Sequence, residues 1–135
     1  MDKRPRGVVA CLALVLAAVP APAHHAISAQ YDMKKPIELT GTLKKMELIS
    51  PHSMLHLEVT NADGTKTVWM FQTTAAPALR QKGLARTGPG SLEPGATYTA
   101  VGFAARNGNP MGFLRVLKFP DGRELTFWFG DPNGE

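Results

Sequence analysis

The sequence predicts an all-β domain with one short helix. Three observations carry this. Apolar residues recur at every second position in several short runs separated by turn residues. The 13 Gly and 11 Pro among 135 residues interrupt the chain too often for a bundle of long helices. A single stretch, after the third run, has helix start and stop residues at matching spacing. The length suits one domain rather than two. With 44% hydrophobic and 19% charged residues, the chain has the composition of a packed domain, not a disordered one.

Residues 24–35 show no period and read as an N-terminal arm. After Pro36, the residues Ile37, Leu39, Gly41 and Leu43 share one face, opposite Glu38, Thr40, Thr42 and Lys44. This is a half-buried first strand. Its phase shifts at Met46 and Leu48, which predicts a bulge or a strong bend, and Gly41 helps it coil. Ser50-Pro51 ends it. Leu55, Leu57 and Val59 alternate with Met54, His56, Glu58 and Thr60 in a second strand, and Asn61-Ala62-Asp63-Gly64 is a hairpin turn. Thr65 to Thr73 is a third strand. Its centre, Val68-Trp69-Met70-Phe71, is apolar enough to be covered on both sides.

A short helix follows, with Thr74 as its cap, Pro77 in its first turn and Gly83 at its end. Residues 84–95 are a loop. Ala96 to Ala105 and Met111 to Phe119 are the fourth and fifth strands, joined by the turn 106–110, and a sixth runs around Leu125 to Phe129. Residues 131–135 are a loose tail. Three strands, a helix, then two strands plus an extra is the layout of an OB-fold-like barrel of five to six strands, here over residues 36–130. A β-sandwich, the alternative, does not need the helix.

Residues 1–23 read as a secretory signal peptide. Lys3, Arg4 and Arg6 precede an apolar run from Val8 to Val19 and the small-residue exit Ala21-Pro22-Ala23. The run is shorter than the roughly 20 residues that span a bilayer. Cys11 lies at the start of the run, not at its end, which argues against a lipoprotein box. Cleavage after Ala23 makes His24 the first residue, and no membrane span then remains. The 135-residue chain loses 23 and keeps 112; the 15 basic side chains fall to 12 and the 11 acidic to 10. Net charge drops from +4 to +2, and the one Cys leaves with the signal, so disulfides and thiol chemistry are excluded. A bacterial periplasmic or secreted protein is expected.

The four His, at positions 24, 25, 52 and 56, all lie in the first half of the chain. An N-terminal His24 can chelate a metal through its α-amine and its own Nδ1, and a second imidazole completes a T-shaped, nitrogen-only site. Such donors suit Cu(II). The amine has a reference pKa of about 7.7–8.0, so a metal can displace its proton near neutrality. His52, in the loop behind Pro51, is the expected partner of His24. His25 and His56 are further candidates, although four residues of strand separate His52 from His56 by roughly 13 Å. The competing view is a solvated arm and ordinary polar strand residues. Met46 and Met70 read as strand core; Met54 shares the face of His52 and His56 and reads as packing. Tyr31 and Asp32 read as docking the arm onto the barrel.

No G-x-S-x-G, H-E-x-x-H or phosphate loop occurs, and no two carboxylates are tied by spacing, so a binding protein is expected rather than an enzyme. A copper oxidase acting on polysaccharide ranks last, because no flat aromatic platform is legible. Nucleic acid is not an expected partner: the mature charge is small, the basic residues are scattered, and Trp69, Phe71, Phe103, Phe113 and Phe127 alternate like core. Trp128 is the best candidate for an exposed aromatic. The expected partners are a metal ion, or a periplasmic protein or envelope ligand bound without metal.

Taken in order, Ala23-His24-His25, Tyr31-Asp32, Lys35-Pro36, Leu39-x-Gly41, Pro51-His52, Trp69, Leu79, Gly83, Leu92-x-Pro94-Gly95, Gly102, Asn107-Gly108 and Asp121-Gly122-Arg123 resemble a group of small exported bacterial proteins classed as a domain of unknown function. The resemblance covers nearly all of the mature chain. It implies an OB-type barrel and export, and it places His24, His25 and His52 in the group's pattern. The chain departs from that pattern at Ala26-Ile27, where the group tends to have Ser-Phe, and at Ser50, where it tends to have Asn. It also has Gln72 where the group often has Glu, which tells against a carboxylate-assisted mechanism and leaves a nitrogen-only site untouched.

Overall fold

The computed structural model describes residues 23–127, with side chains from Ile27 onward. Residues 1–22 of the expected signal segment, and residues 128–135 with Trp128, the expected strand end at Phe129 and the tail, lie outside the described residues. The element order is α1 (Ala23–Gln30), β1 (Tyr31–Glu47), β2 (Met54–Thr60), β3 (Lys66–Gln72), α2 (Ala76–Gln81), β4 (Thr97–Ala105), β5 (Met111–Lys118) and β6 (Glu124–Thr126). The strands form one sheet in the order β3-β2-β1-β4-β5-β6. Every pairing in that order is antiparallel. The sheet also meets itself, because β3 pairs in parallel with β5. The ring is uneven: this seam holds only Met70, Phe71 and Gln72 against Met111, Gly112 and Phe113. The fold is all-β, in the barrel-like order expected from the sequence.

The alternation that marks the strands sorts the two faces. Leu43, Leu55, Leu57, Phe71, Ala100, Leu114 and Leu117 are buried together in the main core. Residues Gly41 and Gly102 let strands approach closely. A Cβ on Gly41 would collide with the Glu58 carbonyl oxygen, and one on Gly102 with that of Phe113. The expected irregularity of the first strand is a register shift between Leu43 and Lys45, after which Lys45 faces His56 and Glu47 faces Met54. The turn after β2 is held by Asp63, whose Oδ1 accepts from the Thr65 amide at 2.9 Å, with Gly64 at φ 84°.

Helix α2 puts Ala76 and Leu79 into the main core between β3 and β4. Pro77 sits in its first turn and Gly83 follows its end at φ 94°. Its start differs from expectation. Ala75, not Thr74, is the N-cap, with no side-chain cap. The Ala76 amide donates instead to the Ile49 carbonyl, so a tertiary contact satisfies a group that a cap would otherwise serve.

Two further differences bear on the site. The segment expected as an arm is built as α1 and the start of β1. An eight-residue helix is marginal alone and needs packing. It finds this in a second cluster outside the barrel, where Tyr31, Phe103 and Phe113 are buried with Ile27, Met33 and Ala105 against them. Phe103 and Phe113 are therefore core, but of this second cluster. Strand β3 is not covered on both sides: Val68 is 44% exposed, and Met70 is only half-buried and lies on the face opposite Phe71.

Candidate functional site

In a barrel of this order the outer face of β2 and β3, flanked by the β1–β2 and β4–β5 loops, is a common ligand surface. Here the alternation turns Met54, His56 and Glu58 of β2 outward, because Leu55, Leu57 and Val59 point in. Their register partners on β3 are Gln72, Met70 and Val68. Next to them across the seam stand Phe113, beside Gln72, and Met111, beside Met70.

The polar part of this face is ordered by β1. His56 Nε2 lies 2.8 Å from Glu47 Oε2, and the ammonium of Lys45 donates to Glu47 Oε1 at 2.7 Å. The Lys45 hydrogen bond, then that of His56, lowers the Glu47 carboxyl below its ordinary range. Glu58 is bracketed by Lys66 at 3.2 Å and Lys44 at 3.5 Å; the hydrogen bond from Lys66 leads in lowering its carboxyl. Both acids are therefore ionised at neutral pH.

At the α1 end of the face, aromatic packing meets polar side chains. The Tyr31 ring packs on Phe113 with centroids 5.8 Å apart, and its hydroxyl donates to Gln72 Oε1 at 2.9 Å. Burial pushes the Tyr31 phenol above its usual value. Arg106, in the β4–β5 loop, donates from Nε to the Ser28 carbonyl at 2.8 Å and from its amide to that of Gln30 at 2.9 Å. These bonds tie the end of α1 down. A cleft of about 380 Å³ remains, lined by Gln30, Tyr31, Gln72, Arg106 and Met111 among others. The docking role read for Tyr31 is what the geometry shows, and Gln72 is its hydrogen-bond partner.

The sequence-derived candidates fall in different places. His52 is exposed in the loop between β1 and β2, behind Pro51. His56 is on β2, with its side chain 14% exposed and bonded to Glu47. His24 and His25 are in the first turn of α1, and their side chains are outside the described residues. Among the described residues, no three His, Cys, Asp or Glu side chains are grouped to hold a metal. Two residues of the face differ from what the sequence predicts: Met70 lies on the outer face rather than in the core, and Met111 joins it there. The parity of Met70 against Trp69 and Phe71 was the available signal.

The profile of a family of unknown function, DUF6152, matches residues 12–115. The chain belongs to that family. The matched span holds all four His and the whole outer face just described. No curated protein matches the chain, and no solved structure does. Among the described residues no helix is long and apolar enough to cross a membrane.

Proposed function

We propose that this is an exported, periplasmic metal-binding protein whose ion is copper, held by the processed N-terminal His24 and by His52. The ligands are the α-amine and Nδ1 of His24 and the imidazole of His52, with His25 and His56 as further candidates. Nitrogen donors of this kind favour Cu(II) among the common divalent ions. The observation that carries the reading is the anchoring of α1. The helix that holds His24 and His25 ends at Gln30, which Arg106 fastens and which lines a cleft with Gln72 and Met111. A terminus on a fastened helix loses less freedom on binding an ion than one on a loose arm. The exposure of His52 leaves its imidazole accessible to a ligand. The site needs no carboxylate, so Gln72 is compatible with it.

Titration of the exported protein with Cu(II), followed by electron paramagnetic resonance, tests the reading. The expected result is one tightly bound ion with nitrogen hyperfine structure, lost in His24→Ala. Binding that is equally tight in His24→Ala would overturn it. A second reading has one observation in its favour. Ile49 and Val68 are large apolar side chains left 48% and 44% exposed. On that reading the barrel docks a periplasmic protein or envelope ligand without metal, and an extra residue before His24 changes nothing.

A further inference from the structure

A row of soft donors crosses the outside of the barrel. His56 stands directly opposite Met70 across β2 and β3, and Met70 stands beside Met111 across the β3–β5 seam. The three share one face on three successive strands, with neighbours about 4.8 Å apart in the hydrogen-bonding direction. Met54, two residues before His56 on the same strand, lies diagonal to Met70 on that face. Three of the chain's six Met thus gather at one spot, although they are far apart in sequence. All are half-buried. Thioethers have three rotatable bonds and adapt their reach, so side chains rooted this closely can converge on one ion.

The imidazole is prepared for the same task. Glu47 Oε2 sits 2.8 Å from His56 Nε2. With its proton on Nε2, the ring donates to the carboxylate, and Nδ1 keeps its lone pair. A ligating His commonly has its other ring nitrogen held by a carboxylate in this way, which orients the ring and raises its basicity.

We propose that Met70, Met111 and His56, with Met54 beside them, form a second metal site, selective for the soft monovalent ion Cu(I). Two or three thioethers and one neutral imidazole match a soft ion and offer nothing to Mg²⁺ or Ca²⁺, which take oxygen. A neutral donor set is suited to a single positive charge, with the Glu47 carboxylate behind the ring as a counter-charge. His56 is also a further candidate at the His24 site, but Met54, Met70 and Met111 are not, and the sulfur site does not depend on the amine or imidazole of His24.

The test is Cu(I) titration of the exported protein without oxygen, in competition with bicinchoninate, together with X-ray absorption. The expected result is one Cu(I) with sulfur neighbours. Met70→Leu and Met111→Leu, which keep the apolar volume, should each weaken binding at least tenfold, while Met46→Leu leaves it unchanged. Unchanged circular dichroism in these variants shows that the fold is intact. His24→Ala should keep Cu(I) while losing Cu(II), so the two sites fail separately. An absorption edge without sulfur, equal affinity in the Met70→Leu/Met111→Leu double variant, or loss of Cu(I) in His24→Ala would overturn the proposal.

Discussion

Removing the Tyr31 hydroxyl should loosen α1 from the barrel by a small, defined amount, and removing the ring should release it. Tyr31 is 2% exposed, packs on Phe113 and donates to Gln72. Tyr31→Phe deletes one neutral hydrogen bond, for which about 0.5–1.5 kcal/mol is typical. Gln72 is only half-buried and borders the cleft, so water can reach its freed oxygen. That places the loss near about 1 kcal/mol or below. Tyr31→Ala also removes the ring from the cluster with Phe103 and Phe113, and large aromatic truncations cost about 3–5 kcal/mol. Urea unfolding followed by tryptophan fluorescence gives both values, and hydrogen exchange at Ile27 to Gln30 reports α1 directly. Gln72→Glu supplies a stronger, charged acceptor, so it should stabilise the Tyr31 chain relative to the Tyr31→Phe chain. A Tyr31→Ala loss no larger than the roughly 0.5 kcal/mol of an ordinary surface change would refute the docking argument.

Gly102→Ala should cost about 1–3 kcal/mol by overpacking, since the new methyl meets the Phe113 carbonyl; a thermal melt reads it, and an unchanged midpoint would contradict the close approach. Leu57→Ala, in the barrel core, should cost about 2–5 kcal/mol in the same assay. His52→Ala should leave stability within about 0.5 kcal/mol, because the side chain is exposed, and should weaken Cu(II) binding; a melt and a titration on one sample separate the two effects. The Tyr31 phenol has a raised pKa in the folded chain, so its contribution to stability is whole below the unfolded value of about 10 and is lost as pH rises through the folded value. Tyrosinate absorbance should therefore show a late component that vanishes in Tyr31→Phe.

The strands were legible because their burial is local in origin. Leu55, Leu57 and Val59 announce β2 through period two alone, and Asn61 to Gly64 announces its turn. What was hidden depends on partners distant in sequence. The short helix α1 exists because Ile27 meets Phe103 and Phe113, which its own eight residues do not reveal. Met70 sits in an apolar run, Val68 to Phe71, that looks buried throughout; parity separates it from Phe71, but which of the two faces is core is fixed by Phe71 packing on Gly112. The His56–Glu47 pair depends on the register shift at Leu43 to Lys45, which brings Lys45 opposite His56 and Glu47 near it. Four His in the first half were visible as a cluster in sequence, but β2 and its loop hold His56 and His52 in different surroundings.

The central claim is that processing turns His24 into a ligand for copper. Native mass spectrometry of the exported protein, with one equivalent of Cu(II) added, tests it most directly. The account predicts a polypeptide that begins at His24 and carries one copper ion. A chain that begins elsewhere, or one that begins at His24 and leaves the copper unbound, would contradict it.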